Sequence, residues 1–277
     1  MTVAVGIFLP VFAYQGCVSA HLVHVDPAFS GDALRKGKLA VAGVVLGRGV
    51  AEEPDDVRKV IRNFESELRD KRPGIALVEN AAVESALGDA GCRELRESLT
   101  AGESPGRGAD SAKGLATLKA MGIANVLLIE MGYDTVDRYV TTSSDVRNTV
   151  DAATGQPTGQ VVRYTTTSHT KRAVTATYAI YDVDSGSKIW ASQSSNTRER
   201  VRTADSYDGY PEAPDYAPVP SLLGVIRSMA AAAVKKLPRE ATAAVPPTAP
   251  EAAGGPAEAG AETGAETGAS AAPGISE

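Results

Sequence analysis

The residue pattern with the most direct chemical consequence is Gly16-Cys17, at the end of an apolar run from Thr2 to Tyr14. A small residue before a cysteine lets a processing peptidase make that cysteine the new amino terminus once its sulfur carries a diacylglycerol. The run is too short to span a bilayer and has the length of a signal-peptide core. No Lys or Arg precedes it, and Tyr14-Gln15 is bulkier than is usual at such a site. Residues 1–16 are read as a signal peptide and Cys17 as the lipidation site. A buried strand or the start of a core helix is the alternative use of so apolar a stretch.

Other residues capable of chemistry are few. His21 and His24 have an i, i+3 spacing that could hold a metal on a helix, but no third ligand is near them in the chain. His169 stands apart from any Gly-x-Ser-x-Gly turn, so a serine or cysteine hydrolase is not indicated. Gly43, Gly47 and Gly49 follow an apolar run without the Lys-Ser/Thr pair of a phosphate loop and read as a turn. Asp182, Asp184 and Gly186 resemble part of a calcium loop, but Ser192 stands where the bidentate Glu belongs, which favours a hairpin turn. Cys92 has no second thiol nearby to resolve an oxidation and reads as a spectator; if Cys17 is not lipidated, a Cys17–Cys92 disulfide is the competing use. Trp190, between Ile189 and Ala191, reads as core. No catalytic group, cofactor, metal or small-molecule substrate is indicated.

Composition narrows the partners. The 277-residue chain is 43% hydrophobic and 5% aromatic, enough for a sizeable core. Its net charge of -6 is local: six of the 34 acids lie between Glu240 and Glu277, where there is no Lys or Arg. The first 239 residues therefore balance 28 acids against 28 bases. With no basic excess, nucleic acid is not an expected partner. From residue 239 to 277 the chain is mostly Ala, Gly, Pro, Thr and Glu, with Gly260-Ala-Glu-Thr repeated at Gly264, and is expected to be a disordered acidic tail.

The elements that would position these residues follow from periodicity. Residues 17–37 are expected to be a flexible, lipidated linker. Leu39–Leu46, a continuous apolar run, predicts a strand covered on both faces. Glu52-Glu53-Pro54-Asp55 opens a helix with Val57, Val60, Ile61, Phe64 and Leu68 on one face, stopped by Arg72-Pro73-Gly74. A short strand at Ile75–Val78, a helix from Asn80 to Leu87, a loop to about Asp110 and a helix through Leu115 and Leu118 to Met121-Gly122 come next. Asn125–Met131 predicts a buried strand. Val136–Val150 and Gln160–Thr170, polar and rich in Thr, Val and Tyr, predict a long exposed hairpin. Arg172–Tyr181 and Ser187–Asn196 predict a second hairpin. A closing helix with Ser221 as its cap buries Leu222, Val225, Ile226, Met229, Ala233 and Leu237. The order predicts one α/β domain over residues 38–238, a mixed sheet of five or six strands flanked by helices.

Between the last two elements Tyr207, Tyr210 and Tyr216 stand among Pro211, Pro214, Pro218 and Pro220. Stiff extended backbone presenting rings is suited to a protein interface, and these three tyrosines are the expected partner-binding residues; a loop lying flat on its own sheet is the alternative.

LAVAGVVL at 39–46, GIANVLLIEMG at 122–132, TATYAIYDVDSGSKIWAS at 175–192 and the final amphipathic helix together resemble a group of bacterial envelope lipoproteins. The group includes the curli-secretion lipoprotein, activator lipoproteins of penicillin-binding proteins and the amino-terminal domain of the Tol-Pal translocation protein. The resemblance covers Lys38 to Pro238. It implies a non-enzymatic accessory or scaffold that docks envelope proteins, held to the membrane by its lipid. The alternative it implies is a subunit of a secretion pore of the curli-secretion type; Arg138, Thr142, Asp145 and Arg147 interrupt the apolar face such a pore hairpin needs. Ser19-Ala20, with no Asp, suits the outer membrane, facing the periplasm, under the sorting habit of enteric bacteria.

Overall fold

The structure is a computed structural model that describes residues 18–47, 50, 54–101, 109–207 and 214–239. Eleven elements follow one another: β1 (Val18–Val25), α1 (Gly31–Lys36), β2 (Lys38–Leu46), α2 (Pro54–Lys71), β3 (Ala76–Val78), α3 (Asn80–Thr100), α4 (Ala109–Ala120), β4 (Ile123–Val150), β5 (Pro157–Asp182), β6 (Lys188–Tyr207) and α5 (Leu222–Lys236). The strands form one six-stranded sheet in the order β1-β6-β5-β4-β2-β3. β2 is parallel to β3 and β4, and the remaining pairs are antiparallel, so the sheet is mixed. The α/β domain with a mixed sheet is as expected from sequence.

Two apolar layers explain why β2 is apolar from Leu39 to Leu46. Leu39, Val41 and Val44 face a core closed by α2 and α5. Ala40 and Ala42 face a second core closed by α3 and α4. A strand buried on both faces has no position that favours a polar side chain. Gly43, at φ 125°, sits where the pairing of β2 with β4 slips by one residue, which brings Val44 back to the first face. In α5 the Ser221 hydroxyl accepts from Gly224 N at 3.3 Å, and Leu222, Val225, Ile226, Met229 and Ala233 are buried as the spacing predicts.

Four expectations are corrected. Residues 18–37 are not a linker: β1 pairs with β6, Ser30 caps α1, and Phe29 and Leu34 are buried in the core. β1 hid in the sequence because most of its side chains are exposed and it is held through backbone pairing rather than an apolar face. The expected loop after Leu87 is helix as far as Thr100: α3 breaks at Gly88 (φ 69°) and resumes, burying Cys92, Leu95 and Leu99 at helical spacing. Glycine and charged residues suggested a loop, yet three buried residues in two turns suffice to carry a helix onto the sheet. The strand at 125–131 does not end there; β4 runs on to Val150, with a bulge between Met131 and Tyr133. β6 likewise continues past Asn196 to Tyr207, a polar stretch whose strand is sustained by its pairing with β5. Residues 1–17 and 240–277, including Cys17 and the acidic tail, lie outside the described residues.

Candidate docking surface

Past the bulge at Gly132 the three longest strands leave the core and continue as a ribbon. β4 from Tyr133 to Val150 covers about 60 Å at the rise of an extended strand. β5 pairs with it throughout, and β6 pairs with β5 from Thr197 to Tyr207. The expected exposed hairpin is therefore present, and for much of its length it is three-stranded. Val136, Tyr139, Val140, Val146 and Val150 are exposed along β4. The outer edge of β4 beyond Met131 and that of β6 beyond Asn196 have no neighbouring strand among the described residues. Strand edges of this length are templates for further pairing.

One face of the ribbon carries a strap. The carbonyls of Pro214, Ala217 and Pro220 accept from Ser168 Oγ (2.6 Å), Thr170 Oγ1 (2.7 Å) and Arg172 Nη1 (3.4 Å). Their spacing of three residues is the period of polyproline II, so carbonyls three apart point the same way. Ser168, Thr170 and Arg172 alternate along β5 and present their side chains to that side. Arg172 is itself fixed by a two-point ion pair with Asp134 across the strands. Tyr216 is half exposed on the strap, with the Arg138 guanidinium 5.7 Å from its ring centre.

The opposite face holds a clasp across all three strands. Tyr139 and His169 stack with ring centres 4.4 Å apart, and both hydrogen-bond Glu199 Oε1, at 2.8 and 2.7 Å. Since an ionised carboxylate only accepts, His169 Nδ1 carries the proton, and a neutral ring then offers Nε2 to Thr141 Oγ1 at 3.0 Å. Burial acts to raise the Glu199 carboxyl, but the hydrogen bonds from Tyr139 and His169 outweigh it and leave it below its ordinary value. Further out, Asp205 takes an ion pair from Arg163 and a 2.7 Å hydrogen bond from Thr165, which hold its carboxyl low. Thr141–His169–Glu199 has the connectivity of a general-base relay, and with Tyr139 it links β4, β5 and β6 side by side. Residues from three strands, 28 and 30 positions apart, leave no sequence signal for it.

The sequence-derived candidates separate. Tyr207 ends β6 opposite Arg163, while Tyr216 lies by Arg138, whose β5 partner is Thr170, seven residues along and about 23 Å away. The two rings do not form one cluster, and Tyr210 lies outside the described residues. His21 is on β1 beside Gln193, at 3.2 Å, and no group of three metal-ligating side chains occurs among the described residues. Cys92 is a buried free thiol whose pKa is pushed up by burial. Asp182 accepts from Ser185 N and Oγ in the turn it opens, and Asp184 pairs with Lys119 at 2.7 Å, so both carboxylates serve the hairpin. Trp190 is fully buried in the core.

No family model and no curated protein matches the sequence. Among solved structures the chain is similar to a PelC dodecamer from Paraburkholderia phytofirmans, with 14% identity and a TM-score of 0.38 over 82% of this chain and 100% of that one. It is also similar to the LpoB C-terminal domain from Salmonella enterica, with 12% identity and a TM-score of 0.27 over 62% of this chain and 86% of that one. At these scores neither likeness carries a functional argument.

Proposed function

We propose that this chain is a lipid-anchored protein of the bacterial envelope, a non-enzymatic accessory that docks other envelope proteins through its three-stranded arm. The arm is the observation that carries the reading. About 60 Å of β4 is ordered beyond the core, with exposed valines and tyrosines and an open edge, and so gives reach and pairing surface instead of core burial. Membrane attachment rests on the apolar run before Gly16-Cys17, and residency in the outer membrane facing the periplasm on Ser19-Ala20. A diacylated thioether supplies two buried hydrocarbon chains, which suffices for stable anchoring.

Two measurements test this. The intact mass of the mature protein should correspond to a chain starting at Cys17 with acyl groups; a chain starting at Met1 with an unmodified Cys17 ends the anchoring claim. Photocrosslinkers placed at Val146 and Val150 on the arm should give protein adducts in the native envelope, and excising residues 146–162 with an Asn-Gly closure should abolish partner capture without unfolding the core. Capture that survives the excision refutes docking through the arm tip.

A further inference from the structure

We propose that Arg198, Arg200 and Arg202 form a row at the base of the arm that rests on the headgroups of an anionic lipid surface, fixing how the anchored domain lies on its membrane. The inference rests on the lipidation reading for Cys17 and adds to it a definite second contact.

Position carries the argument. Val18, the first residue of β1, pairs with Asn196 of β6. Whatever direction residue 17 takes, its Cα is about 3.8 Å from that of Val18, neighbouring strands are about 5 Å apart, and Arg198 is two residues beyond Asn196. The attachment point of the lipid is therefore within about 15 Å of the Arg198 Cα, with no spacer to lift the domain away. The outer edge of β6 is free from Thr197 onward, so among the described residues no strand separates the row from that surface. The same edge of the sheet exposes Leu22, Val23 and Val25 on β1.

Charge points the same way. Arg198, Arg200 and Arg202 lie opposite Arg172, Thr170 and Ser168, and directly opposed residues share a face, so all three are on the strap side. Arg172 is occupied by Asp134, and among the described residues Arg202 has only Asp215 at 3.9 Å, itself 97% exposed. Among the described residues no carboxylate is within ion-pair distance of Arg198 or Arg200. Arg198 lies along the first turn of α5, where a Cβ on Gly224 would come 2.8 Å from its guanidinium. A helix N-terminus is the positive end of the helix and does not neutralise it. Alternate residues on a strand are about 6.7 Å apart, so among the described residues the row presents three uncompensated or weakly compensated guanidinium groups over about 13 Å. Phosphate headgroups match the planar donor fork of arginine.

The test uses the full chain carrying Cys17→Ser, so that no acyl group masks the contact, and measures partition onto vesicles of phosphatidylglycerol mixed with phosphatidylcholine against phosphatidylcholine alone. An arginine at an anionic surface is worth about fivefold, so R198Q/R200Q/R202Q should lose about a hundredfold in partition onto the anionic vesicles. Partition onto phosphatidylcholine alone should not change, since whatever the apolar run at 2–14 contributes is common to both proteins. Raising salt to 0.5 M should remove the difference. K235Q/K236Q/R239Q, an equal loss of charge at exposed positions by the end of α5, should retain wild-type partition. Equal loss from both triples would mean unspecific attraction and overturns the proposal, as does unchanged partition of the arginine triple with its melting temperature retained. If the arginine triple does not fold, the single changes R200Q and R202Q replace it, with about fivefold expected for each. Tight binding of an acidic peptide that displaces the vesicles would assign the row to a protein partner and likewise overturns it. Intact mass reports the lipid on Cys17 separately, so failure of the anchor and failure of the row are read apart.

Discussion

Replacing Thr170 with Val removes one hydroxyl and leaves the shape of the side chain nearly unchanged. Thr170 Oγ1 donates to the Ala217 carbonyl at 2.7 Å, and both residues are buried between the strap and β5. Valine keeps the β-branch and suits a strand, so the change isolates the hydrogen bond from packing. It leaves the Ala217 carbonyl excluded from water without its donor, at a cost of about 1–3 kcal/mol. For a domain of roughly 150–250 residues each kcal/mol moves the melting temperature by about 2–4 °C, so the middle of the range corresponds to a fall of about 6 °C. Thermal unfolding of the full chain by circular dichroism measures the shift, and limited proteolysis of the 214–220 segment reports whether the strap lifts. Thr170→Ser, which keeps the donor, should recover most of the loss. A Val variant that melts with wild type and is cut no faster in the strap would refute the idea that side chains of β5 hold that segment down.

Changing Tyr207, Tyr210 and Tyr216 to Ala should weaken capture of the partner at least tenfold, since ring anchors at interfaces are worth about 1–2 kcal/mol each, while the melting temperature holds because Tyr207 and Tyr216 are largely exposed. Unfolding of that triple variant would make the rings cover for the sheet instead. Glu65 is pushed above its ordinary pKa by burial, against the Asn80 N–H it accepts at 2.7 Å, so its ionisation disfavours the folded state as pH rises through the raised value. Glu65→Gln keeps the acceptor and should melt above wild type at pH 7, a gap that closes below about pH 4, where the carboxyl is protonated in both states; a melting difference independent of pH would refute this. Deleting residues 240–277 should leave the melting temperature unchanged, and a loss of several degrees, about 1 kcal/mol or more, would show that the acidic tail docks.

The two-sided core was legible because burial leaves its mark on residue type. Leu39–Leu46 had to be apolar without interruption, and the Val57-to-Leu68 stripe and the α5 face apolar at helical spacing, and each folds as its pattern dictates. The hairpin turn at Asp182–Gly186 was legible for a related reason, since a carboxylate that closes on Ser185 is a local feature. Two surface strands left no comparable mark. β1 and the 197–207 extension of β6 are held largely by backbone hydrogen bonds, which any residue but proline can supply, so β1 reads as linker and the strand expected at Ser187–Asn196 stops short of its extension.

The sequence by itself determined which stretches must be buried, where α2 ends and where α5 starts and stops, that the acids of the tail are segregated from a neutral body, and that a cysteine follows a signal-like run. Only the tertiary structure decided that β4, β5 and β6 continue together as an arm, that the proline-rich segment lies strapped to β5, that Tyr207 and Tyr216 belong to positions about 23 Å apart along β5, and that three arginines line the edge beyond the start of β1. The physical reason is that burial is written into each segment by its own periodicity, whereas strand register is a relation between residues far apart in the chain. A shift of one residue would have turned every arginine in that row to the other face.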